Sequence, residues 1–560
     1  MKRKLSLVLA MVMILTSVFV TGASATGETQ GTTNTVDKIP VSSELPSYDD
    51  YMSDKGGFNN ATADIVVDAI NYASSVNAQV KKVDVFKAKD GEERKTVVEW
   101  TNEDGYLTYN VNIPADGLYA IKFLYYAMPG RNNPVALGLK VDGKYLFETM
   151  KEFELPRIFK DEPIAELDEN GKAKYDEKGN PIYQVALDKE GKPRLDAEGN
   201  PLYVTVRTDG IGNEFAAEQT EYFAFQEAYF VDPTGLESMP YTFALTAGTH
   251  TFEIESVAEP VALDAFVLSA PEVYKSYAEV SKDYDTSKKA ASGVIKIEGE
   301  DAAFKNANSL VAQYDQTDPS ISSANGSNPY LTRINYIGDV NWASPGQRLT
   351  WKVNVPEAGY YKLAYRYKQI HVLNGNAYRK LLINGKVPFA EATSMCFKYG
   401  LDWEHSEFAD ANGNPYLIYF EKGVNTISME VSLGDLTSTV RELRDVVYKV
   451  GNLYRDMIKI TGESPDNSRD YNLFEQIPNF NENLAEYSKE LYRIAAKTEE
   501  LAGKAGGTNA TTIRGLCEVL DDMVEHKWTA HQYKSLFYSN YTSVSALVYS
   551  MMEMGLNSDY

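Results

Sequence analysis

The sequence contains few of the residues that carry thiol and imidazole chemistry. Its 560 residues include two cysteines and five histidines, which leaves little for a zinc site or a thiol nucleophile. Cys396 and Cys517 fall in segments of different character. A disulfide between them and two unpaired, largely buried thiols are both open, and we favour the unpaired thiols.

Local catalytic motifs are also missing. The sequence has no Gly-x-Ser-x-Gly, no His-Glu-x-x-His and no phosphate-binding loop. A carboxylate pair for glycoside hydrolysis has no local signature, because its mark is a distance in the folded protein. With no such feature singled out, we expect a protein that is not an enzyme.

Positive charge is scarce as well. The chain has 55 Lys and Arg against 79 Asp and Glu, a formal net charge of -24. Such a surface repels phosphate backbones and anionic lipids, so nucleic acid is excluded as an expected partner. After the first 25 residues no apolar run reaches the roughly 20 residues that span a bilayer, so we expect no membrane span.

The first 25 residues read as a targeting segment. Lys2, Arg3 and Lys4 precede the apolar run 5–20, and small residues at 23–25 supply a cleavage pattern, which together predict a signal peptide over 1–25. Residues 26–47 are rich in Thr, Gly, Ser and Asn, which is typical of a flexible linker. The predicted location is therefore secreted or extracellular, with association to the cell surface left open.

An internal repeat organises the middle of the chain. At a constant offset of 242, the segment 100–125 matches 342–367. The nine identical positions are Trp100, Leu107, Thr108, Val111, Asn112, Pro114, Gly117, Tyr119 and Tyr125. This is several times what chance would give, so the sequence predicts two copies of one domain, over 48–280 and 281–455.

Both copies carry β patterns. Leu349, Trp351 and Val353 alternate with polar residues, the period of a strand with one buried face. Asp142-Gly143 and Asn384-Gly385 are suited to tight hairpin turns. The segment 154–208 of the first copy repeats Asp-x-x-Gly turns between short apolar pieces, which predicts a hairpin insertion; the spacing does not match a twelve-residue calcium loop.

The last hundred residues change to a helical period, and we expect a small helical region over 456–560. Three sets of apolar residues are spaced 3, 4, 3: Leu484, Tyr487, Leu491, Ile494; Ile513, Leu516, Leu520, Met523; and Val544, Leu547, Met551, Met554. The predicted fold class is mainly β with an α tail: two β-sandwich (jelly-roll) domains followed by a small helical bundle.

Three segments of the second copy resemble jelly-roll carbohydrate-binding modules of the type grouped in families six and thirty-five. They are the start at 297–302, the middle at 346–361 and the segment 443–447. The similarity covers roughly 294–450 and, more weakly, 63–272. The resemblance implies a fold that binds oligo- or polysaccharides.

The same resemblance implies a structural calcium ion held by Glu298, Glu300 and Asp445, and carboxylate oxygens are the ligands that calcium prefers. The alternative is that these acids are solvated strand residues. In the first copy Ile70 replaces the second carboxylate, although Asp264 remains, so calcium is not expected there.

Candidate sugar-stacking residues are aromatic side chains in polar, turn-like settings: Trp342, Trp403 and Tyr330. Because Trp100 matches Trp342 in the repeat, the alternative for Trp342 is a packing role common to both copies. The polar segment 371–379 is a further loop near these residues.

Two other segments, 45–51 and 469–478, are similar to the N-terminal half of long solute-binding proteins of sugar ABC importers in Gram-positive bacteria. The two-lobed domain that follows in those proteins is not in this sequence, so a truncated relative and a stand-alone binding half are both open. The resemblance implies a non-catalytic carbohydrate-binding protein that captures sugar for an ABC importer, with a transporter permease as a further partner. The alternative is a structural or adhesive surface protein without sugar binding.

Overall fold

The computed structural model describes residues 45–187, 190–285, 293–318, 320–321, 328–373 and 375–560. The predicted signal peptide and residues 26–44 of the predicted linker lie outside these residues. Residues 45–560 form one compact unit. Within the described part of the chain, no helix has the length and apolar character needed to cross a membrane.

The first module is a β sandwich. Its elements are α1 (Tyr48–Met52), β1 (Ile65–Asp68), β2 (Ser74–Val76), β3 (Val80–Lys87), β4 (Glu93–Trp100), β5 (Tyr106–Ile113), β6 (Gly117–Ala127), β7 (Val135–Val141), β8 (Phe153–Leu155), β9 (Phe159–Asp161), β10 (Arg207–Thr208), β11 (Glu214–Phe215), β12 (Gln219–Glu221), β13 (Phe225–Tyr229), β14 (Thr242–Leu245), β15 (Gly248–Ala258) and β16 (Val261–Ser269). One sheet contains β1, β3, β4, β6, β13, β14 and β16, and the other contains β2, β5, β7, β8 and β15.

Alternating burial builds this module as the sequence predicted. Along β5, every second side chain from Leu107 to Ile113 is buried, and the intervening ones are not. The strand pairs antiparallel with β15, which also pairs with β7. Asp142 and Gly143 both take positive φ in the turn after β7, as a tight turn requires.

The second module is also a sandwich. Its elements are α2 (Tyr277–Val280), β17 (Phe304–Lys305), β18 (Ala312–Gln313), β19 (Tyr336–Asp339), β20 (Arg348–Val355), β21 (Gly359–Lys362), β22 (Ala364–Lys368), β23 (Asn376–Ile383), β24 (Met395–Lys398), β25 (Glu404–Glu407), β26 (Leu417–Phe420), β27 (Gly423–Ser432) and β28 (Leu556–Ser558). One sheet has the order β12-β9-β17-β20-β27-β23-β24, and the other has the order β18-β19-β28-β22-β25.

One strand of the predicted insertion, β9, and the later strand β12 belong to the second module's sheet. β9 pairs with β17 through Phe159 and Lys305, and β12 pairs with β9. Between these strands lie the Asp turns, in which Asp176 and Asp196 each accept a hydrogen bond from the backbone N–H four residues later. These local bonds account for the repeated Asp-x-x-Gly pattern by turn chemistry.

The helices form a four-helix bundle. Its helices are α3 (Thr437–Thr461), α4 (Leu473–Gln476), α5 (Phe480–Ala502), α6 (Thr508–Glu525) and α7 (Lys534–Ser550), of which α4 is a single short turn. α5 and α6 carry the first two predicted apolar sets; of the third, Val544 and Leu547 lie on α7, whereas Met551 and Met554 follow its end. One continuous hydrophobic cluster joins the second sandwich to the bundle, from Trp351 through Val440 to Leu516. The predicted fold class, mainly β with two sandwiches and a helical bundle, is confirmed.

The bundle is inserted into the second sandwich. α3 begins at Thr437, shortly after β27, and after α7 the chain returns as β28. β28 lies between β19 and β22 and pairs antiparallel with both. The expected boundary at residue 456 therefore falls inside α3, and the segment 443–447, matched at the sequence level to the end of the sandwich, is helical. The two cysteines are unpaired, as we favoured, but only Cys517 is buried and Cys396 is exposed.

Candidate functional site

The expected calcium ligands do not come together as predicted. Glu298 and Glu300 flank Gly299 in the turn that leads into β17. Asp445 lies on the exposed side of α3, where its side chain is half exposed and its Oδ1 lies 3.4 Å from Nε of the adjacent Arg444. A helix in the bundle cannot supply the last-strand ligand, so the assignment of Asp445 is corrected.

Asp559 takes the place that was expected of Asp445. It follows β28, and its backbone carbonyl accepts a hydrogen bond from the N–H of Gly299 at 2.5 Å. A Cβ atom on Gly299 would lie 2.4 Å from the carbonyl oxygen of Ser558, so glycine between the two glutamates permits this close approach. The end of β28 is thereby held against the Glu298–Glu300 turn.

The carboxylates of this group, which we call the acid trio (Glu298, Glu300 and Asp559), are poorly compensated. Both carboxylate oxygens of Glu300 and of Asp559 are buried without a hydrogen-bond donor. Burial, and to a smaller extent the charges of Asp301, Glu298 and Asp559, raises the pKa of Glu300 to about 9. Burial likewise raises the pKa of Asp559 to about 6.

Two bases lie beside the acid trio. Lys296 Nζ is 2.9 Å from Glu298 Oε2, and a guanidinium nitrogen of Arg366 is 3.5 Å from Asp559 Oδ2. Neither base reaches Glu300. Among the described residues, no three acidic, His or Cys side chains already surround a common metal position, so the acids would have to turn toward a shared ion. Unpaired, buried carboxylate oxygens are nevertheless the donor set that suits calcium.

In the first module, an arginine side chain lies beside the corresponding acidic residue. Asp264 on β16 lies 3.7 Å from a guanidinium nitrogen of Arg94 on β4. Burial raises the pKa of Asp264, the positive charge of Arg94 lowers it, and the negative charge of Asp68 raises it further. The guanidinium of Arg94 thus places a positive charge of the protein itself beside Asp264 and Asp68.

Trp342 lies in the core. Its side chain is fully buried, its Nε1 donates to the carbonyl of Gln347 at 3.2 Å, and the guanidinium of Arg379 lies 4.0 Å from its ring centre. Trp100, its partner in the repeat, is equally buried. The two rings occupy packing positions, and Trp342 has no open ring face in this conformation.

Trp403 is largely buried and holds a neighbouring aspartate. It is 8% exposed, and its Nε1 donates to Oδ2 of Asp315 at 3.0 Å. Burial alone would raise the pKa of Asp315, but hydrogen bonds from Thr317 and Trp403, with a further one from Lys368, hold it at about 2. Trp403 therefore donates a hydrogen bond that stabilises the ionised form of Asp315.

Tyr330 is the one predicted aromatic residue with an open ring, at 90% exposure. Its loop is fixed to the segment that follows the insertion of the first module, because Thr332 N–H donates to the side chain of Asn213 at 3.0 Å and Arg333 pairs with Glu214 at 2.9 Å. The structure thus places the three predicted aromatic residues in three different settings rather than on one platform.

A concave surface lies between the second sandwich and the bundle. This junction cleft has a volume of about 280 Å³. The loop before β23 forms one wall, and the end of α5, the start of α6 and the end of α7 form the other. Residues on these walls include His371, Leu373, Asn376, Asn509, Met551 and Glu553.

The cleft combines apolar surface with polar groups. Asn376 ties its two walls together by donating to the carbonyl of Leu501 on α5 at 3.0 Å. Asn509, in the first turn of α6, adds an amide that both donates and accepts. Pockets that bury a few polar groups among apolar side chains, at a boundary between domains, are typical ligand sites. A volume of this size suits a small ligand such as one sugar ring.

The one tryptophan with an open ring lies elsewhere. Trp528 is 54% exposed and follows α6, at the end of the bundle opposite the cleft. Its ring packs edge-on to Phe474 at 4.6 Å between centres. The prediction took tryptophans from loops of the sandwiches and left out Trp528, although the sequence places it between two helical segments.

Comparisons with known proteins agree with this architecture. Residues 438–554 match the family described as bacterial solute-binding protein, 4-helix bundle domain. The matched range corresponds to the inserted helices. No curated protein is similar enough to count as a match. The predicted order, sandwich modules ahead of a solute-binding-protein helical bundle, is confirmed.

Solved structures similar to parts of the chain include the C-terminal family 6 carbohydrate-binding module of a marine laminarinase from Zobellia galactanivorans, at 11% identity and a TM-score of 0.18, covering 37% of this chain and 99% of that one. A family 35 carbohydrate-binding module from Clostridium thermocellum matches at 14% identity and a TM-score of 0.18, covering 37% and 100%. Likeness at these scores carries no argument about a ligand.

Proposed function

We propose that the protein is a secreted, non-catalytic carbohydrate-binding protein that captures oligo- or polysaccharides for an ABC importer. The observation that carries the proposal is the insertion of a solute-binding-protein helical domain into a β sandwich, with a cleft at their junction. In this proposal the two modules descend from one duplicated domain, the signal peptide exports the chain, and a transporter permease receives the captured sugar.

The junction cleft is the proposed sugar site. The amide of Asn509 and the polar groups of His371 and Glu553 would meet sugar hydroxyls, and Leu373 and Met551 would contact the apolar ring face. Tyr330 remains a candidate for a peripheral contact with a longer chain, since its ring is open. Trp342 acts in this proposal by supporting the cleft wall that its neighbour Ala343 lines, and Trp403 by holding Asp315.

Calcium is the proposed structural ion of the second module. Glu298, Glu300 and Asp559 would hold it, and its charge would satisfy the buried carboxylate oxygens that lack donors. When bound, the ion supplies positive charge and coordination but takes no part in a reaction. The residues themselves hold the first turn of the sandwich to its last strand.

The sugar site is tested by binding. The purified protein is screened on an array of oligosaccharides, and the best binder is titrated by calorimetry against the native protein and two variants. Asn509→Ala removes a cleft amide, and we expect about three- to tenfold weaker binding, the usual worth of one hydrogen bond. Asn481→Ala is the matched control, because Asn481 occupies the first turn of α5 at the opposite end of the bundle.

Other outcomes would contradict parts of the proposal. Binding that is lost in Trp528→Ala but kept in Asn509→Ala would place the site at the far end of the bundle. Release of shorter sugars during incubation would show an enzyme.

A structural or adhesive surface protein is the second candidate. It is favoured by the burial of Trp342 and Trp403, which leaves no tryptophan platform on the sandwiches. An array without any bound glycan, from protein shown to be folded, would support this candidate over the first.

A further inference from the structure

The strand β28 connects the acid trio to the junction cleft. The segment 551–559 touches both: Met551, Glu553 and Gly555 line the cleft, and Asp559 reaches the Glu298–Glu300 turn. The two sites are therefore joined by one short piece of extended chain. Any displacement of this piece moves a wall of the cleft.

Specific contacts fix the cleft end of this segment. The N–H of Met554 donates to the carbonyl of Ala343 at 2.8 Å, next to the buried Trp342. The ring nitrogen Nε2 of His371 lies 3.1 Å from Oδ1 of Asn557 on β28. A Cβ atom on Gly555 would lie 2.7 Å from the His371 ring, so this ring packs directly on the backbone of the segment.

The middle of the strand is equally close to its neighbours. A Cβ atom on Gly338 of β19 would lie 1.9 Å from the carbonyl of Leu556, and Gly338 has a φ of +126°, a conformation that side chains rarely adopt. At the far end, the backbone of Arg366 bonds to two successive residues: its N–H donates to the Tyr560 carbonyl at 2.7 Å, and its carbonyl accepts from Asp559 N–H at 3.0 Å.

The acid trio opposes this packing when no cation is bound. Glu300 is 8% and Asp559 0% exposed, and all four of their carboxylate oxygens lack a hydrogen-bond donor. Asp301 and Asp318 add negative charge nearby, while Lys296, Arg366 and Arg194 add positive charge. Buried acids with too few donors favour opening of the segment that buries them.

We propose that a divalent cation bound by the acid trio locks β28 into the sandwich and thereby holds the inserted bundle in the position that forms the sugar cleft. The inference rests on the proposed function for the identity of the cleft ligand. It adds that sugar affinity depends on a cation that does not touch the sugar. The direction follows from linkage: an ion that binds only the closed strand stabilises it.

The test is hydrogen–deuterium exchange of the native protein with calcium chloride and with chelator. We expect peptides covering 551–560, the loop 369–376 and the start of α6 to exchange at least tenfold more slowly with calcium. Peptides of β5 and β15 in the first module serve as internal controls and should not change. The variant Asp559→Asn should exchange as the chelated protein in both conditions, while Asp445→Asn should behave as native.

Two results would overturn the inference. Calcium protection confined to 296–301 and 556–560, without change in the cleft loops, would show a metal site without coupling. If calcium changed the exchange of no peptide, the acid trio would not be a calcium site. A separate titration of sugar with and without calcium distinguishes these from a failure of the proposed function, because sugar binding that is equal in both conditions leaves the sugar site in place and removes only the coupling.

Discussion

The two sandwich modules bury acidic side chains beside their last strands in different ways. In the first module, Asp264 has the guanidinium of Arg94 at 3.7 Å. In the second, Glu300 has no donor to either oxygen, and Asp559 has one guanidinium at 3.5 Å. The same fold thus compensates acidic residues beside its last strand either with an arginine of the protein or, as we propose, with a cation from solution. Only the second arrangement can make stability respond to an ion.

The largest expected effect tests what the modules share. Trp342→Ala and Trp100→Ala each remove a fully buried indole, and we expect a loss of about 3–5 kcal/mol in the free energy of unfolding of the affected module. Urea titration followed by fluorescence and by far-ultraviolet circular dichroism measures it. A loss below about 1 kcal/mol at Trp342 would argue against its packing role and restore it as a ligand candidate.

The next effect separates the modules. Glu300→Gln removes a buried carboxyl group whose oxygens lack a donor and which, because its pKa is raised to about 9, is ionised only above that pH. Above that pH in chelator we expect the variant to be more stable than native by about 1–3 kcal/mol, and in saturating calcium we expect it to be less stable. Thermal unfolding in both conditions checks the reversal of sign. A variant that is destabilised equally in both conditions would contradict the role of Glu300 as a cation ligand.

A smaller effect is expected from Arg94→Met in the first module. The guanidinium is 40% exposed, so solvent already weakens its interaction with Asp264, and we expect a loss of about 1 kcal/mol. The loss should be the same with calcium and with chelator. A loss that calcium restores would show that the first module also takes an ion once its internal cation is removed.

The smallest effect is expected from Asp445→Asn. Its carboxylate is half exposed and its partner is the neighbouring Arg444, so the change in unfolding free energy should stay within about 0.5 kcal/mol. Thermal unfolding with and without calcium measures it. A calcium-dependent change larger than this would restore Asp445 as a ligand.

Much of the fold could be predicted from local pattern. The alternation along 349–355 and the helical spacing from Leu484 onward depend only on which faces are buried, and both periods are visible in short windows. The Asp-Gly and Asn-Gly turns likewise need only their own residues. These features gave two sandwiches and a bundle with no knowledge of long-range pairing.

The path of the chain between modules could not be predicted in the same way. β28 has three residues and so shows no period, and its partners β19 and β22 lie far earlier in the sequence. The helix α3 did carry a signal, because Val440, Leu443, Val447 and Val450 are spaced 3, 4, 3 and are buried. Its inner part, 443–447, is too short to be told from a strand by periodicity alone.

The proposed cation site follows from the sequence only in part, for the same reason. The resemblance that points to Glu298 and Glu300 rests on a short local motif, whereas Asp559 reaches them only through the insertion of the bundle. The tryptophans were chosen for polar neighbours in sequence, but Trp342 and Trp403 point inward, which their neighbours do not reveal. The cleft is formed by residues of both the second sandwich and the bundle, so the sequence of neither part alone shows a pattern that predicts it.

Calorimetric titration of calcium into the native protein, Asp559→Asn and Asp445→Asn tests most directly whether β28 completes the second sandwich as an ion-binding module. We expect one site in the native protein, the same site in Asp445→Asn, and binding at least tenfold weaker in Asp559→Asn. Native-like binding by Asp559→Asn, or loss of binding in Asp445→Asn, would contradict this account.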